Sequence, residues 1–290
     1  MTTIPSKFVW YDVMTSDTKA AGSFYESVMG WDTRDSGMAD RSYTIFSMGP
    51  AMVGGLMPIP EEARAMGARP GWMGYIGVDD VDACASRLKA AGGAVHRPPE
   101  DIPGVGRFCV VADPHGAAFI LFKGEGEAQN APIAPMTPGH IGWHELQAGN
   151  AESDFAFYAG LFGWTKAEAI DMGAMGVYQT FATGGAAVGG IMTKLPEVPA
   201  PFWLYYLNVD AIDVAVTRAT QGGGKLLMGP QQVPGGELDR PVPRPAGRHV
   251  CHGCVQTLNG SGWPGLTTPA GQALGSVTPT WPWYLPPRSL

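Results

Sequence analysis

The sequence predicts an α+β protein that contains two homologous domains. Three observations predict this class: an internal repeat, an alternation of strand and helix patterns within each copy, and a length of 290 residues, which suits two domains. Each domain is predicted to contain the same unit twice, a strand followed by a helix and about three further strands.

The internal repeat sets the domain count. The segment FYESVMGW at Phe24–Trp31 returns as FYAGLFGW at Phe157–Trp164, and Trp10–Val13 returns at Trp143–Leu146. Both steps are 133 residues (157 − 24 and 143 − 10). Later blocks repeat at steps of 135 and 131 residues (188 − 53 and 206 − 75). Because the step changes so little, we expect the insertions to fall in loops between preserved elements.

The elements of the first copy are predicted from local patterns. Phe8–Val13 is apolar apart from Asp12, which is typical of a strand. A helix follows, because Asp17 and its neighbours can cap it, apolar residues recur at helical spacing, and Gly30 can end it. The remaining predicted elements are strands over 43–48, 51–57, 72–78, 107–112 and 117–122 and a helix over 80–91.

The repeat and the composition also predict the domain boundaries. We expect a first domain over 1–124, a linker over 125–138, a second and incomplete domain over 139–236, and a Pro- and Gly-rich tail over 237–290. The first domain continues into DPHGAAF at Asp113–Phe119, and the tail has no counterpart of this segment.

The tail is predicted to be translated out of frame. Codons can be chosen for it such that a shift of one base reads DPQGAMF, in register with Asp113–Phe119. The second domain would then lack its last two strands. Its sheet would have an unpaired edge unless the tail or a partner covers it, and a homo-oligomer could form through this open second domain. His249, Cys251, His252 and Cys254 lie close together in this tail, and we interpret their spacing as accidental rather than as a zinc site.

The composition excludes several classes of function. A formal charge of −7 and 19 scattered basic residues argue against a nucleic-acid partner. Met1–Lys7 lacks the pattern of a signal peptide, and no apolar run has the length of a membrane span, so we expect a cytoplasmic protein without a membrane partner. Four cysteines at non-equivalent positions make no disulfide framework.

These motifs resemble the vicinal oxygen chelate superfamily, which includes glyoxalases, bleomycin-resistance proteins and dioxygenases. The resemblance rests on the first strand with its FY…GW helix, on Val78–Asp82, and on Asp113–Phe119, and it covers residues 1 to 236. The Trp-x-acid start and the two fused copies are most similar to the glyoxalase-like subgroup labelled hydroxylases. The resemblance implies that the paired βαβββ modules of each domain form a cupped mixed sheet, with the ligand inside the cup.

Enzymes of that family take His, Gln or Glu metal ligands from the first, fourth, fifth and eighth strands. In the first domain these positions fall on Trp10, Gly55, Met73 and Ile120. In the second domain the first three fall on Trp143, Gly190 and Leu204, and a shift of one residue adds only His144. None of the residues at these seven aligned positions is a good ligand for a divalent ion, and His144 alone would not make a site. We therefore expect no metal and no other cofactor.

Strand alternation predicts what the cups contain instead. If Trp10 points into the first cup, Asp12 does too, and Tyr11 points to the helix side. The same alternation adds Tyr75, and Tyr43 is a plausible neighbour. In the second cup the corresponding residues are Trp143, Glu145, Tyr178 and Tyr206, with His144 behind the sheet. An indole, phenols and one carboxylate suit a small organic molecule with an apolar body and a cationic or hydrogen-bonding group.

Three functions stay open at this point. The first is metal-free binding of a small organic molecule, of the bleomycin-resistance type. The second is a glyoxalase-like lyase or isomerase, or a hydroxylase-type enzyme, in which Asp12 or Glu145 acts as a general base because burial raises its pKa. The third is a scaffold whose cups are packed solid. The paired glycines Gly54–Gly55 and Gly189–Gly190 are interpreted as strand bends, and His140 as a surface or hydrogen-bonded residue.

Overall fold

The first domain contains the two predicted modules. The computed structural model of the protein describes residues 5–38, 41–65, 67–126, 133–134, 136–226, 248–251 and 255–257. The elements of the first domain are β1 (Phe8–Thr15), α1 (Thr18–Met29), β2 (Asp32–Asp35), β3 (Thr44–Met48), β4 (Ala51–Pro58), α2 (Glu61–Ala65), β5 (Gly71–Gly77), α3 (Val81–Ala90), β6 (Ala94–Ile102), β7 (Gly106–Ala112) and β8 (Ala118–Gly124).

These strands form one mixed sheet of eight strands in the order β2-β3-β4-β1-β5-β8-β7-β6. β1 pairs with β4 in parallel, β5 pairs with β8 in parallel, and β1 and β5 join the two modules as antiparallel neighbours. Every strand and helix predicted for this domain is present. β1, β4 and β5 therefore lie side by side at the centre of the sheet, where they position the first cup.

The prediction missed the strands at the two edges of the sheet. β2 is DTRD, a short and fully exposed segment without apolar alternation. β6 contains Pro98 and Pro99 and is largely exposed. Proline is tolerated at a sheet edge because an edge strand leaves one row of N–H groups unpaired. Such strands form because a neighbouring strand is available, which a local pattern cannot show.

The second domain repeats the first module and part of the second. Its elements are β9 (Ile141–Ala148), α4 (Ala151–Phe162), β10 (Thr165–Asp171), β11 (Val177–Ala182), β12 (Ala187–Thr193), β13 (Phe202–Val209), α5 (Ile212–Gln221), β14 (Gly224–Leu226), β15 (Arg248–Cys251) and β16 (Val255–Thr257). The main sheet has six strands in the order β10-β11-β12-β9-β13-β15, and β14 pairs separately with β16. Most of the predicted tail, like half of the linker, lies outside the described residues, so its out-of-frame origin remains a prediction.

A tail segment covers part of the edge of the second sheet. The edge of β13 is not open over Tyr206–Val209, because β15 pairs with it. This pairing is antiparallel, whereas the corresponding pair in the first domain, β5 with β8, is parallel. The tail segment therefore covers the edge with a different topology from the first domain. The homo-oligomer, which was predicted from an open edge, remains a prediction without that support.

The two sheets pack against each other through their helix-bearing faces. One buried core cluster combines Leu88 and Phe119 of the first domain with Tyr158 and Trp203 of the second. A second cluster combines Phe24 and its neighbours with residues of β13 and α5. α1 accordingly contacts α5, and α3 contacts α4. The two largest hydrophobic cores are therefore shared between the domains.

The repeated FY…GW motif holds this arrangement together. Trp31 donates its indole N–H to the carbonyl of Gly139 at 2.8 Å, and Trp164 donates to the carbonyl of Ser6 at 2.7 Å. Both the donors and the acceptors are 133 residues apart (164 − 31 and 139 − 6). The last Trp of each motif thus anchors the segment that leads into the first strand of the other domain.

None of the described helices is long and apolar enough to cross a membrane.

Candidate functional site

Strand alternation brings the four predicted residues of the first cup into one hydrogen-bonded cluster, here called the Asp12 cluster. Trp10 donates its indole N–H to Asp12 Oδ1 at 3.0 Å and to the Tyr43 hydroxyl at 2.8 Å. Tyr43 donates to Asp12 Oδ1 at 2.6 Å, and Tyr75 donates to Oδ2 at 2.5 Å. The predicted placement of these side chains on one face is confirmed.

The electrostatics of the cluster are set by burial. Asp12 is 1% exposed. Burial raises the pKa of its carboxyl group above the usual value, and the hydrogen bonds from Tyr43, Tyr75 and Trp10 oppose that rise. Burial and the neighbouring Asp12 charge also raise the pKa of Tyr43 and of Tyr75. Three donors point at Asp12, so the geometry suits an ionised carboxylate among neutral phenols.

Gly55 makes room for this cluster. It pairs with Asp12 across the parallel strands β1 and β4. A Cβ atom at this position would overlap the Tyr43 hydroxyl and Asp12 Oδ1. Gly190 is equivalent in the second domain, where a Cβ would overlap the ring of Tyr178. These two glycines therefore let a tyrosine ring lie directly against the backbone, a role that the interpretation as strand bends did not include.

The Asp12 cluster lines a large cavity of about 1880 Å³. The other walls near the cluster are mainly apolar and include Met14, Met57, Phe108 and Ile120. Methionine side chains are flexible and polarisable, so they adapt to irregular apolar ligands. The first cup is therefore not packed solid, which argues against the scaffold alternative for this domain.

The second cup repeats the cluster with a longer acid. Trp143 donates to the Tyr178 hydroxyl at 2.7 Å, and Tyr178 and Tyr206 donate to Glu145 Oε2 at 3.2 and 2.8 Å. Gln147 donates to Glu145 Oε1 at 2.7 Å. Glu145 is more exposed than Asp12. These four predicted residues do meet, but they lie outside the cavity that the Asp12 cluster lines.

The donor set of the first cup does not fit the metal of the family enzymes. The positions that correspond to metal ligands hold Trp10, Gly55, Met73 and Ile120, which offer one indole, one thioether and no carboxylate or imidazole. The nearby carboxylate of Asp12 already accepts three hydrogen bonds. No group of three or more His, Cys, Asp and Glu residues within the described part of the chain could hold an ion.

His144 does not supply the missing ligand. It lies behind the sheet, as predicted, where its Nε2 accepts from the Tyr11 hydroxyl at 2.6 Å. Its Nδ1 donates to the carbonyl of Val188 at 2.7 Å. Both ring nitrogens are thus engaged at the domain interface, since Tyr11 belongs to the first domain. Burial lowers the pKa of His144 to about 4.

Because His144 is neutral in the folded protein, we expect it to make stability fall with falling pH. Its unfolded pKa is near 6.5 and its folded pKa near 4, so the unfolded state takes up the proton first. The stabilisation is complete above pH ~6.5 and is lost towards pH ~4, about 3 kcal/mol in total. The free energy of unfolding of the His144→Gln variant should lack this component.

The measurement compares both proteins by urea unfolding at several pH values. Asp113 acts in the opposite direction, because burial and the Asp154 charge raise its pKa to about 6. The contribution of Asp113 is the same in wild type and variant. The difference between their free energies of unfolding at each pH therefore reports the contribution of His144 alone. Parallel pH profiles for the two proteins would contradict the assignment of a buried neutral imidazole.

Several residues of the two cups were missed from the sequence. Met14, which lines the cavity, follows from the alternation that predicts Asp12, and Gln147, which donates to Glu145 in the second cup, follows in the same way from Glu145. The sequence offers such a signal for these positions because they lie two residues further along the same strand. His140 and Asn208, which also line the cavity, gave no signal of this kind, because a strand irregularity at the end of β13 interrupts the alternation.

Comparison with known proteins agrees with the fold. The profile of the Glyoxalase/Bleomycin resistance protein/Dioxygenase superfamily matches residues 7–121 and 138–240. Proteins named putative glyoxylase CFP32, from Mycobacterium bovis and Mycobacterium tuberculosis, are each 32% identical over 228 residues, which is 78% of this chain and 85% of theirs. The anthracycline biosynthesis protein DnrV of Streptomyces peucetius is 30% identical over 245 residues, 80% of this chain and 87% of that protein.

Solved structures share the architecture at low sequence identity. The Mn(II)-bound glyoxalase from Novosphingobium aromaticivorans has a TM-score of 0.55 and 21% identity, covering 80% of this chain and 75% of that one. The 2,2',3-trihydroxybiphenyl 1,2-dioxygenase of Sphingomonas wittichii strain RW1 has a TM-score of 0.55 and 11% identity, covering 78% and 81%. Since the profile matches both halves of the repeat, the chain belongs to the Glyoxalase/Bleomycin resistance protein/Dioxygenase superfamily.

Proposed function

We propose that this protein binds a small organic molecule in the cup of its first domain without a metal ion. The observation that carries the proposal is the position of the Asp12 cluster, which is the polar patch of a cavity whose neighbouring walls are apolar. Such a combination of an apolar lining with a few convergent polar groups is typical of ligand pockets.

The chemistry of the cluster indicates which ligand group it would accept. Asp12 Oδ1 accepts two hydrogen bonds and Oδ2 accepts one, so one acceptor position on Oδ2 is left among the described contacts. The phenol protons already point at the carboxylate, so the cluster faces the cavity as an acceptor. A ligand would therefore place a hydroxyl, an N–H or a cationic group at this point.

The size and apolar walls of the cavity, together with the names of two relatives, indicate the chemical class of the apolar part of the ligand. The cavity exceeds the 300–1000 Å³ that is usual for small-molecule sites, so it has room for a fused-ring molecule. Two relatives are named anthracycline biosynthesis proteins, DnrV and DauV. On this basis we infer a polycyclic aromatic ligand and choose an anthracycline aglycone as the probe.

An enzyme is the second candidate, because the Asp12 carboxyl is buried, has a raised pKa and faces the cavity. A buried carboxylate of this kind can act as a general base, either directly or through the Tyr75 hydroxyl. Relatives named putative glyoxylase support a lyase or isomerase of this type. Glu145 would be the corresponding base of the second cup.

Titration of chelator-treated protein with the aglycone tests the proposal. We expect saturable quenching of the aglycone fluorescence that is unchanged by EDTA or by added divalent ions. Tyr75→Phe should weaken binding about tenfold, because it removes one hydrogen bond that orients the Asp12 carboxylate. Thermal melting of each variant checks that it is folded.

Tyr178→Phe provides the matched control, since Tyr178 donates to the acid of the second cup. It should leave the aglycone affinity of the first cup unchanged. Absence of binding, or binding that appears only when a divalent ion is added, contradicts the proposal. Chromatography with mass spectrometry of the recovered aglycone separates the two candidates: binding alone leaves it intact, whereas an enzyme converts it to a product of different mass or, for an isomerase, different retention time, and Asp12→Asn abolishes the conversion.

A further inference from the structure

Among the residues that the structure describes, three buried polar atoms have no hydrogen-bond partner, and all three belong to residues that line the large cavity. They are His96 Nε2, His140 Nε2 and Asn208 Oδ1. A buried polar atom without a partner costs about 1–3 kcal/mol, and folded proteins keep few of them. Their coincidence in one cavity indicates that a bound molecule supplies the missing partners.

His140 and Asn208 both present acceptors. His140 Nδ1 lies 3.1 Å from the carbonyl of Pro138, which can only accept, so in the neutral form of the ring Nδ1 carries the proton and Nε2 is left as an acceptor. Asn208 donates its side-chain N–H to the carbonyl of Thr137 at 3.2 Å, which leaves Oδ1 as an acceptor. Both residues are more than nine-tenths buried. The pair therefore requires hydrogen-bond donors.

The backbone brings these two residues together at the start of β9 and the end of β13. The amide N–H of Asn208 donates to the carbonyl of His140 at 2.8 Å. The Asn208 side chain lies over Gly142, where a Cβ atom would overlap the amide. This glycine thus makes room for the Asn208 amide, just as Gly55 makes room for Tyr43.

The arrangement is absent from the equivalent place in the first domain. There the residues that correspond to His140 and Asn208 are Lys7 and Gly77, and the glycine lies under the side chain of Val9. Lys7 and Val9 are exposed. The buried pair of acceptors is thus specific to the second domain, and the fold does not require it.

We propose that His140 and Asn208 form a polar subsite for a substituent of the ligand that carries hydrogen-bond donors, an amine or a pair of hydroxyl groups as on an amino sugar. This inference rests on the proposed function, because the apolar body of the same ligand would lie in the first cup. The bound molecule would then span both domains.

The test compares an anthracycline that carries its amino sugar with the corresponding aglycone, at pH 8, where an ordinary histidine is neutral. We expect the glycoside to bind wild-type protein about tenfold more tightly, the value of roughly one to two net hydrogen bonds. The double variant His140→Phe, Asn208→Leu should bind both compounds with the affinity that wild type has for the aglycone. The N-acetylated glycoside shows whether the amine or the hydroxyl groups are recognised.

A control keeps the outcomes distinct. Lys7→Ala, at the equivalent position of the first domain, should preserve the preference for the glycoside. If the aglycone binds but the glycoside shows no gain, or if the gain survives the double variant, the subsite is overturned and the proposed function stands. If neither compound binds to wild type, the proposed function fails first. Thermal melting confirms that each variant is folded.

Discussion

The first domain alone, residues 1–126, is expected not to form a stable folded monomer. Its helices α1 and α3 pack on α5 and α4 of the second domain, and both large core clusters contain residues from both domains. Separation exposes these apolar faces to water, at about 25 cal/mol per Å² of apolar surface. It also removes the carbonyl of Gly139, which accepts the indole N–H of Trp31. Since a small domain has a stability of only about 5–15 kcal/mol, we expect aggregation or loss of cooperative unfolding.

Calorimetry and size-exclusion chromatography check this expectation. The matched control is the full chain with a protease site in place of residues 127–132. After cleavage, the two halves should stay associated and melt near the temperature of the intact chain. A monomeric 1–126 fragment with a sharp melting transition close to that of the full chain would contradict the shared-core description.

Gly55→Ala is expected to disrupt the candidate site and to lower stability by about 3 kcal/mol. The added Cβ would overlap both Tyr43 and Asp12, and Gly55 is held by β1 on one side and β3 on the other, so the backbone cannot easily shift. Tyr43 would have to move, which breaks its hydrogen bonds with Trp10 and Asp12. Affinity for the aglycone should fall in parallel.

Gly160→Ala is the matched control for this substitution. Gly160 lies on α4, and a Cβ there meets nothing within 4 Å. Alanine is a better helix former, so this variant should gain about 0.5–1 kcal/mol. Urea unfolding measures both changes. A Gly55→Ala variant as stable as wild type would show that Tyr43 does not lie against the backbone of β4.

The sequence predicts the composition of the Asp12 cluster because strand alternation is a local rule. Once Trp10 is placed in the cup, Asp12 must follow, and the second copy repeats the pattern with Trp143 and Glu145. The role of Gly55 was not predicted, because it depends on the register between β1 and β4, which a single strand does not encode.

Two features that depend on tertiary packing could also not be predicted from local sequence patterns: the shared cores and the pair of His140 and Asn208. The shared cores were missed because each copy has an apolar face large enough to suggest an independent domain, and only the packing shows that the faces meet. The pair of His140 and Asn208 depends on a strand irregularity beside Tyr206, where β13 changes register against β9. Such a shift has no sequence signal of its own.

Metal-free binding in the first cup is tested by a crystal structure of the chelator-treated protein with the anthracycline aglycone. We expect the ring system to lie in the first cup, with a donor group within hydrogen-bonding distance of the Asp12 cluster. We also expect no anomalous signal from a metal ion there, in crystals grown with or without divalent ions. A metal ion bound in the cup, or a ligand that avoids the Asp12 cluster, would contradict metal-free binding at this site.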